Sequence, residues 1–193
     1  MSAARLLIVP GLHDSGPGHW QSWLQSRHRG ALRVRQADWD DPQLERWADT
    51  IAATLRQAGP ARWIVAAHSF GCLALARYLA RHPDAPIAAA LLVAPADPDK
   101  FGVAPLLPQH ALGVPGLLVA SDTDPWMSAP RALEWGQRWG LSTFNLGDVG
   151  HINIESGFGP WPFAGRWVHA MQQRQARQAR IRHATPREWR FAT

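Results

Sequence analysis

Six short apolar runs, at 5–9, 32–37, 62–67, 87–94, 116–121 and 142–146, alternate along the chain with segments of helical periodicity. That alternation is the strongest constraint on the fold. Parallel strands cannot be joined by tight turns, so each return crosses over through a helix, and a βαβα rhythm implies a parallel sheet. Runs such as Ala88–Val93 are continuously apolar, which suits strands covered on both faces. Helical patterns fall at roughly 19–27, 42–58, 70–81, 129–139 and 162–181. The clearest is Pro42–Ala58, where Leu44, Trp47, Ala48, Ile51, Ala52 and Leu55 recur at helical spacing. The expectation is an α/β protein with a three-layer, doubly wound parallel sheet of about six strands. A chain of 193 residues can bury the core of one such domain.

Open parallel sheets build their sites at the carboxyl ends of the strands. The third run ends in Ala67–Gly71, AHSFG. Small residues two before and two after a serine allow a strand-to-helix turn tight enough to expose its hydroxyl, the logic of G-x-S-x-G, with Ala67 in the first glycine's place. Ser69 there could equally be a helix N-cap. Asp122 and Asp124 follow the fifth run, and Asp148 and His151 follow the sixth. The order serine, acid, histidine is that of hydrolases built on this turn. Serine needs a histidine to take its proton, and the histidine needs an acid to hold its tautomer. Two N–H donors would complete an oxyanion site: Phe70, after the serine, and either Leu12 or His13 in the loop after the first strand. His13 and Trp126 are candidate pocket walls, and Cys72 reads as a small core filler.

Five stretches then make the chain recognisable: Val9–Trp23, Ala67–Gly71, Leu92–Asp97, Ala120–Pro125 and Gly150–Trp161. They resemble the α/β-hydrolase superfamily, and within it the small serine hydrolases related to retinoblastoma-binding protein 9. The resemblance covers most of residues 5–170 and excludes the tail. It implies a compact core without a large cap domain, all strands parallel in the order 2-1-3-4-5-6. It also implies Ser69 as nucleophile, Asp124 as triad acid and His151 as base. Asp122 lies nearer the strand end and is the rival acid. Asp124 is preferred because the family's acid immediately precedes a proline, as Asp124 precedes Pro125. Asp148 reads as a loop-capping carboxylate, and Trp161 and Phe163 as a segment pinning the histidine loop.

Composition narrows the function further. The sequence pI is about 10.9, yet residues 174–193, with six arginines against Glu188, carry the whole formal excess of +5. The body is neutral, so a uniformly basic nucleic-acid face is not expected. The chain therefore divides into a hydrolase domain at 1–175 and a basic tail at 176–193, partly helical or disordered and solvated. No run is long enough to span a membrane, and Leu6–Val9 is too short for a signal h-region. A single cysteine excludes an internal disulfide framework, so a cytoplasmic location is the expectation. There is no HExxH and no Cys/His cluster, so no metal and no cofactor are expected.

The function expected is cleavage of small carboxylic esters or related acyl compounds, whether ester, thioester or amide, by a Ser-His-Asp triad and an acyl-enzyme. The expected partner is a small-molecule acyl substrate, with no nucleic acid and no membrane, and with room for a protein partner. The competing reading is a binding or scaffold protein on the same fold, which need not keep all three residues. A nucleotide-binding domain shares the βα rhythm but lacks G-x-G-x-x-G or GK[ST] after the first strand.

Overall fold

The computed structural model describes residues 4–183. Six strands form one parallel sheet: β1 (Arg5–Val9), β2 (Leu32–Arg33), β3 (Trp63–His68), β4 (Ile87–Val93), β5 (Gly116–Ala120) and β6 (Ser142–Asn145), in the order β2-β1-β3-β4-β5-β6. The crossovers carry α1 (Trp20–Ser26), α2 (Leu44–Gln57), α3 (Phe70–Arg81) and α4 (Ala129–Arg138), and α5 (Pro162–His183) follows β6. A 3-10 turn, Ala104–Leu106, interrupts the β4–β5 connection. Class, order and strand direction agree with expectation.

The two faces of the sheet are built by alternation, broken in β4 at Ala88 and Ala89, where the register with β3 shifts. Leu7, Val9, Val65, Ala67, Ala90 and Leu92 point into one core with α2, α3 and α4. Leu6, Ile8, Ile64, Ala66, Ala89 and Leu91 point into the other with α1, α5, Ile152 and Trp161. Side chains alternate across a strand, so a run that is apolar at every position fills both cores. Because all six strands are parallel, their carboxyl ends and the loops that leave them share one edge.

The second strand is shorter than the expected 32–37. Val34 still donates its N–H to the Ile8 carbonyl at 2.9 Å. The next rung would need an N–H from position 10, and Pro10 has none, so the ladder stops. α5 extends past 176, where the basic tail was expected to begin; residues 184–193 of that tail lie outside the described residues. Among the described residues, no helix is long and apolar enough to cross a membrane.

Candidate active site

β3 is buried at every position and delivers the chain to Ser69, whose backbone sits at φ 53°, ψ −126°. A positive φ is uncommon for a residue with a Cβ and is held only where the surroundings enforce it. Two glycines enforce it here. A Cβ on Gly71 would strike the carbonyl oxygen of Pro10 and lie 2.6 Å from that of Val9. A Cβ on Gly11 would lie 2.7 Å from the Ser69 Cβ and 3.3 Å from its Oγ. The loop after β1 and the turn after β3 are thus pressed together at the two positions that lack side chains. Ala67 adds only a methyl to the α2/α3 core, which explains why the first small residue can be alanine.

The Ser69 hydroxyl caps no helical N–H. Its Oγ lies 3.1 Å from His151 Nε2, and His151 Nδ1 lies 2.9 and 3.0 Å from the two carboxylate oxygens of Asp124. A carboxylate accepts only, so Nδ1 carries the proton and Nε2 is left to accept from the serine. The Asp124 side chain is almost fully buried, and its Oδ1 also accepts the Trp126 N–H at 2.9 Å. Asp122 turns the other way and accepts from Asn145 Nδ2 at 2.6 Å. Asp148 accepts from Thr123 Oγ1 at 2.6 Å, and that oxygen accepts the Gly150 N–H at 3.0 Å, tying the β5 and β6 loops together.

The pocket above Ser69 has a volume of about 320 Å³. Leu12, Ala96, Phe101, Trp126 and Ile154 supply its apolar wall. Trp126 is half exposed, and the Lys100 ammonium, 5.9 Å from its ring, also donates to the Pro125 carbonyl at 3.1 Å. His13 lines the mouth with its ring bonded to Asp40, while its main-chain N–H donates to the Trp39 carbonyl at 3.1 Å. Cys72 lies in the core, where burial pushes its thiol far above the ordinary range and its Sγ sits 3.6 Å from the Val93 carbonyl. Trp161 packs edge-on against Trp20 and stacks on Phe163, closing the core beneath the histidine loop.

Two histidines beside Ser69 had no role in the sequence reading. His68 and His19 stand with their ring centres 4.9 Å apart, and His68 is 4.8 Å from the His151 ring. His68 contributes Nε2 to a 2.9 Å hydrogen bond with the His151 carbonyl. Burial pushes its pKa well below the ordinary value, and neighbouring His151 and His19 push it the same way. His19 caps α1 by accepting the Gln21 N–H, and burial, with the Arg33 charge, lowers its pKa to about 4. Strand parity was the available signal: His68 shares the parity of Ile64 and Ala66 and so faces α1 and α5.

A parallel six-stranded sheet, flanked on both faces and carrying a serine on a strained strand-to-helix turn, is the compact α/β-hydrolase architecture. A family model described as serine hydrolase matches residues 6–170, and the chain belongs to that family of hydrolases. No curated protein matches. A protein from Pectobacterium atrosepticum, described provisionally as a YdeN-like hydrolase, is 36% identical, with 89% of this chain and 91% of that one covered at a TM-score of 0.83. The ydeN gene product of B. subtilis is 20% identical over 87% and 98% of the two chains, TM-score 0.69. The carboxylesterase CesB (YbfK) of Bacillus subtilis is 13% identical over 88% and 84%, TM-score 0.61. These last two likenesses are of fold alone.

Proposed function

We propose that the protein hydrolyses small carboxylic esters or related acyl compounds through an acyl-enzyme on Ser69. The observation that carries this reading is the continuous chain from Asp124 through His151 to Ser69, at 2.9 Å and 3.1 Å. Ser69 Oγ attacks the acyl carbon while His151 Nε2 takes its proton, and Asp124 stabilises the imidazolium without itself becoming protonated. The tetrahedral oxyanion is met by the N–H of Phe70 and that of Leu12. His13 is the poorer second donor because its N–H is already bonded to Trp39, whereas that of Leu12 has no partner among the described residues. His151 then gives the proton to the leaving oxygen, nitrogen or sulfur. In the second half-reaction it takes a proton from water, whose oxygen attacks the acyl-enzyme, releasing the acid and restoring the Ser69 hydroxyl.

The pocket favours a small acyl group: its volume is modest, and among the described residues no cap domain extends it. Labelling with a fluorophosphonate probe tests the assignment directly. The wild type should react at one site, identified as Ser69 by peptide mapping, and Ser69→Ala should not react. A wild type that is neither labelled nor active on p-nitrophenyl esters would favour the scaffold alternative.

A further inference from the structure

We infer that His68 is a positioning residue: its Nε2–H holds the main-chain carbonyl of His151 and thereby sets where the imidazole stands over Ser69. The inference rests on the reading of Ser69 and His151 given above, and adds a residue to it.

The two ends of this hydrogen bond are 83 residues apart in sequence, yet each adjoins the reacting groups. His68 immediately precedes Ser69, at the buried end of β3, so it moves with the nucleophile. The carbonyl it holds belongs to His151 itself. One bond therefore sets the spacing between two loops that are otherwise linked near the site mainly by the weak serine–histidine contact.

That loop needs to be held. Gly150 has φ 59° and Ile152 has φ 50°, so the backbone is left-handed on both sides of His151. For glycine this is free, but for a β-branched residue it is strained and persists only when the surroundings over-determine it. Besides the bonds of Gly150 and His151 to the β5 loop, the restraints are burial of the Ile152 side chain, the His151 N–H bonded to Ser156 Oγ at 3.0 Å, and the His68 bond to the carbonyl. Of these, the His68 bond is the one that reaches back to the strand carrying Ser69.

The chemistry of the donor fits the task. A carbonyl only accepts, so the proton resides on His68 Nε2. Because His68 is almost entirely buried and its pKa is pushed well below the ordinary value, the donor stays neutral and in place while His151 gains and loses its own proton, and it places no second cation beside the imidazolium. The His68 ring also packs between His19 and His151, so a shape contribution has to be separated from the hydrogen bond.

His68→Leu removes the donor, and His68→Gln keeps a side-chain N–H at comparable reach. With p-nitrophenyl butyrate, His68→Leu should lower kcat by about 10- to 100-fold, the scale of a small misplacement of a reacting group, while KM stays within about twofold. The rate of Ser69 labelling by a fluorophosphonate should fall by a similar factor, and His68→Gln should recover most of both. A folded His68→Leu with wild-type kcat overturns the inference, as does a His68→Gln that falls as far as His68→Leu, which would make the ring's shape the cause. Nitrogen NMR of the wild type supplies a reading independent of any variant's folding. His68 should show a protonated Nε2 and a bare Nδ1 at neutral pH, and the opposite tautomer would overturn the assignment. If the wild type itself is neither labelled nor active, the hydrolase reading falls first, and the positioning role falls with it.

Discussion

His68 and His13 flank the same pocket under opposite physical conditions. His13, at the lip, pairs with Asp40 at 2.7 Å, and both side chains are 78% exposed. His68, beneath the site, makes a longer bond of 2.9 Å to a carbonyl and is almost entirely buried. Distance alone would rank the lip pair higher, but water and side-chain entropy reduce an exposed pair of this kind to roughly 0–1 kcal/mol. Breaking the buried bond instead strands a carbonyl, which costs about 1–3 kcal/mol. The contrast separates a rigid floor that sets geometry from a solvated rim that tolerates change.

The floor should fail most severely at Ser69. Ser69→Ala and His151→Ala should each lower hydrolysis of a p-nitrophenyl ester by at least roughly a thousandfold, and the double variant should be scarcely worse, because nucleophile and base act as a unit. Ser69→Gly should be equally inactive yet more stable than Ser69→Ala by about 1 kcal/mol, and so melt higher, since glycine adopts the required positive φ without strain. Equal melting temperatures for the two variants would show that the turn stores no strain.

Gly11 lies where floor and rim meet. Gly11→Ala would push the loop bearing Leu12 away from Ser69, and kcat should fall about a hundredfold, the loss associated with one oxyanion donor. Activity near wild type would mean that the second donor lies elsewhere.

The buried histidines also predict a pH response of the stability. His19 has a pKa near 4 in the folded protein against an ordinary 6.5, so the unfolded chain takes up the proton first as pH falls. Its contribution to stability is complete above about pH 6.5, is lost progressively between there and pH 4, and amounts to about 3 kcal/mol at that depression. His68 is depressed in the same direction and deepens the loss. His19→Asn keeps an acceptor for the Gln21 N–H but cannot titrate, so the fall in melting temperature from pH 7.5 to 4.5 should be shallower than in wild type. An identical slope would contradict the assignment. Asp40→Asn should have the smallest effect, moving stability by less than about 1 kcal/mol and esterase turnover by less than about twofold.

Much of this was legible before the fold was known. Parallel direction and approximate strand count follow from continuous apolar runs that had to fill two cores, as β1 and β3 now show, while the strand order came from the family resemblance. Ser69 and His151 stood out because each lies just beyond a strand end, whereas Asp124 was preferred to the nearer Asp122 only through the family resemblance and Pro125; the structure brings Asp124 to the imidazole and turns Asp122 toward Asn145. The shortened β2 depends on Pro10, a residue in another strand's loop, and no pattern local to 32–37 carries that information. His19 and His68 stayed hidden for a related reason. Their meaning lies in what they meet across the sheet, and one hydrogen bond spanning 83 residues leaves no periodic trace. The proposal of Leu12 over His13 likewise rests on the Trp39 carbonyl, which only the tertiary arrangement brings to that loop.

The glycine contacts at Gly11 and Gly71 bear on how such an enzyme can diversify. Because the serine turn and the β1 loop are in backbone contact, neither can be remodelled without displacing the other. Changes in the pocket should therefore be tolerated better at the opposite wall, formed by Phe101, Trp126 and Ile154. A library randomised at those three positions should yield altered acyl-chain preference from folded, active clones, whereas one randomised at Gly11 and Gly71 should return little but the two glycines.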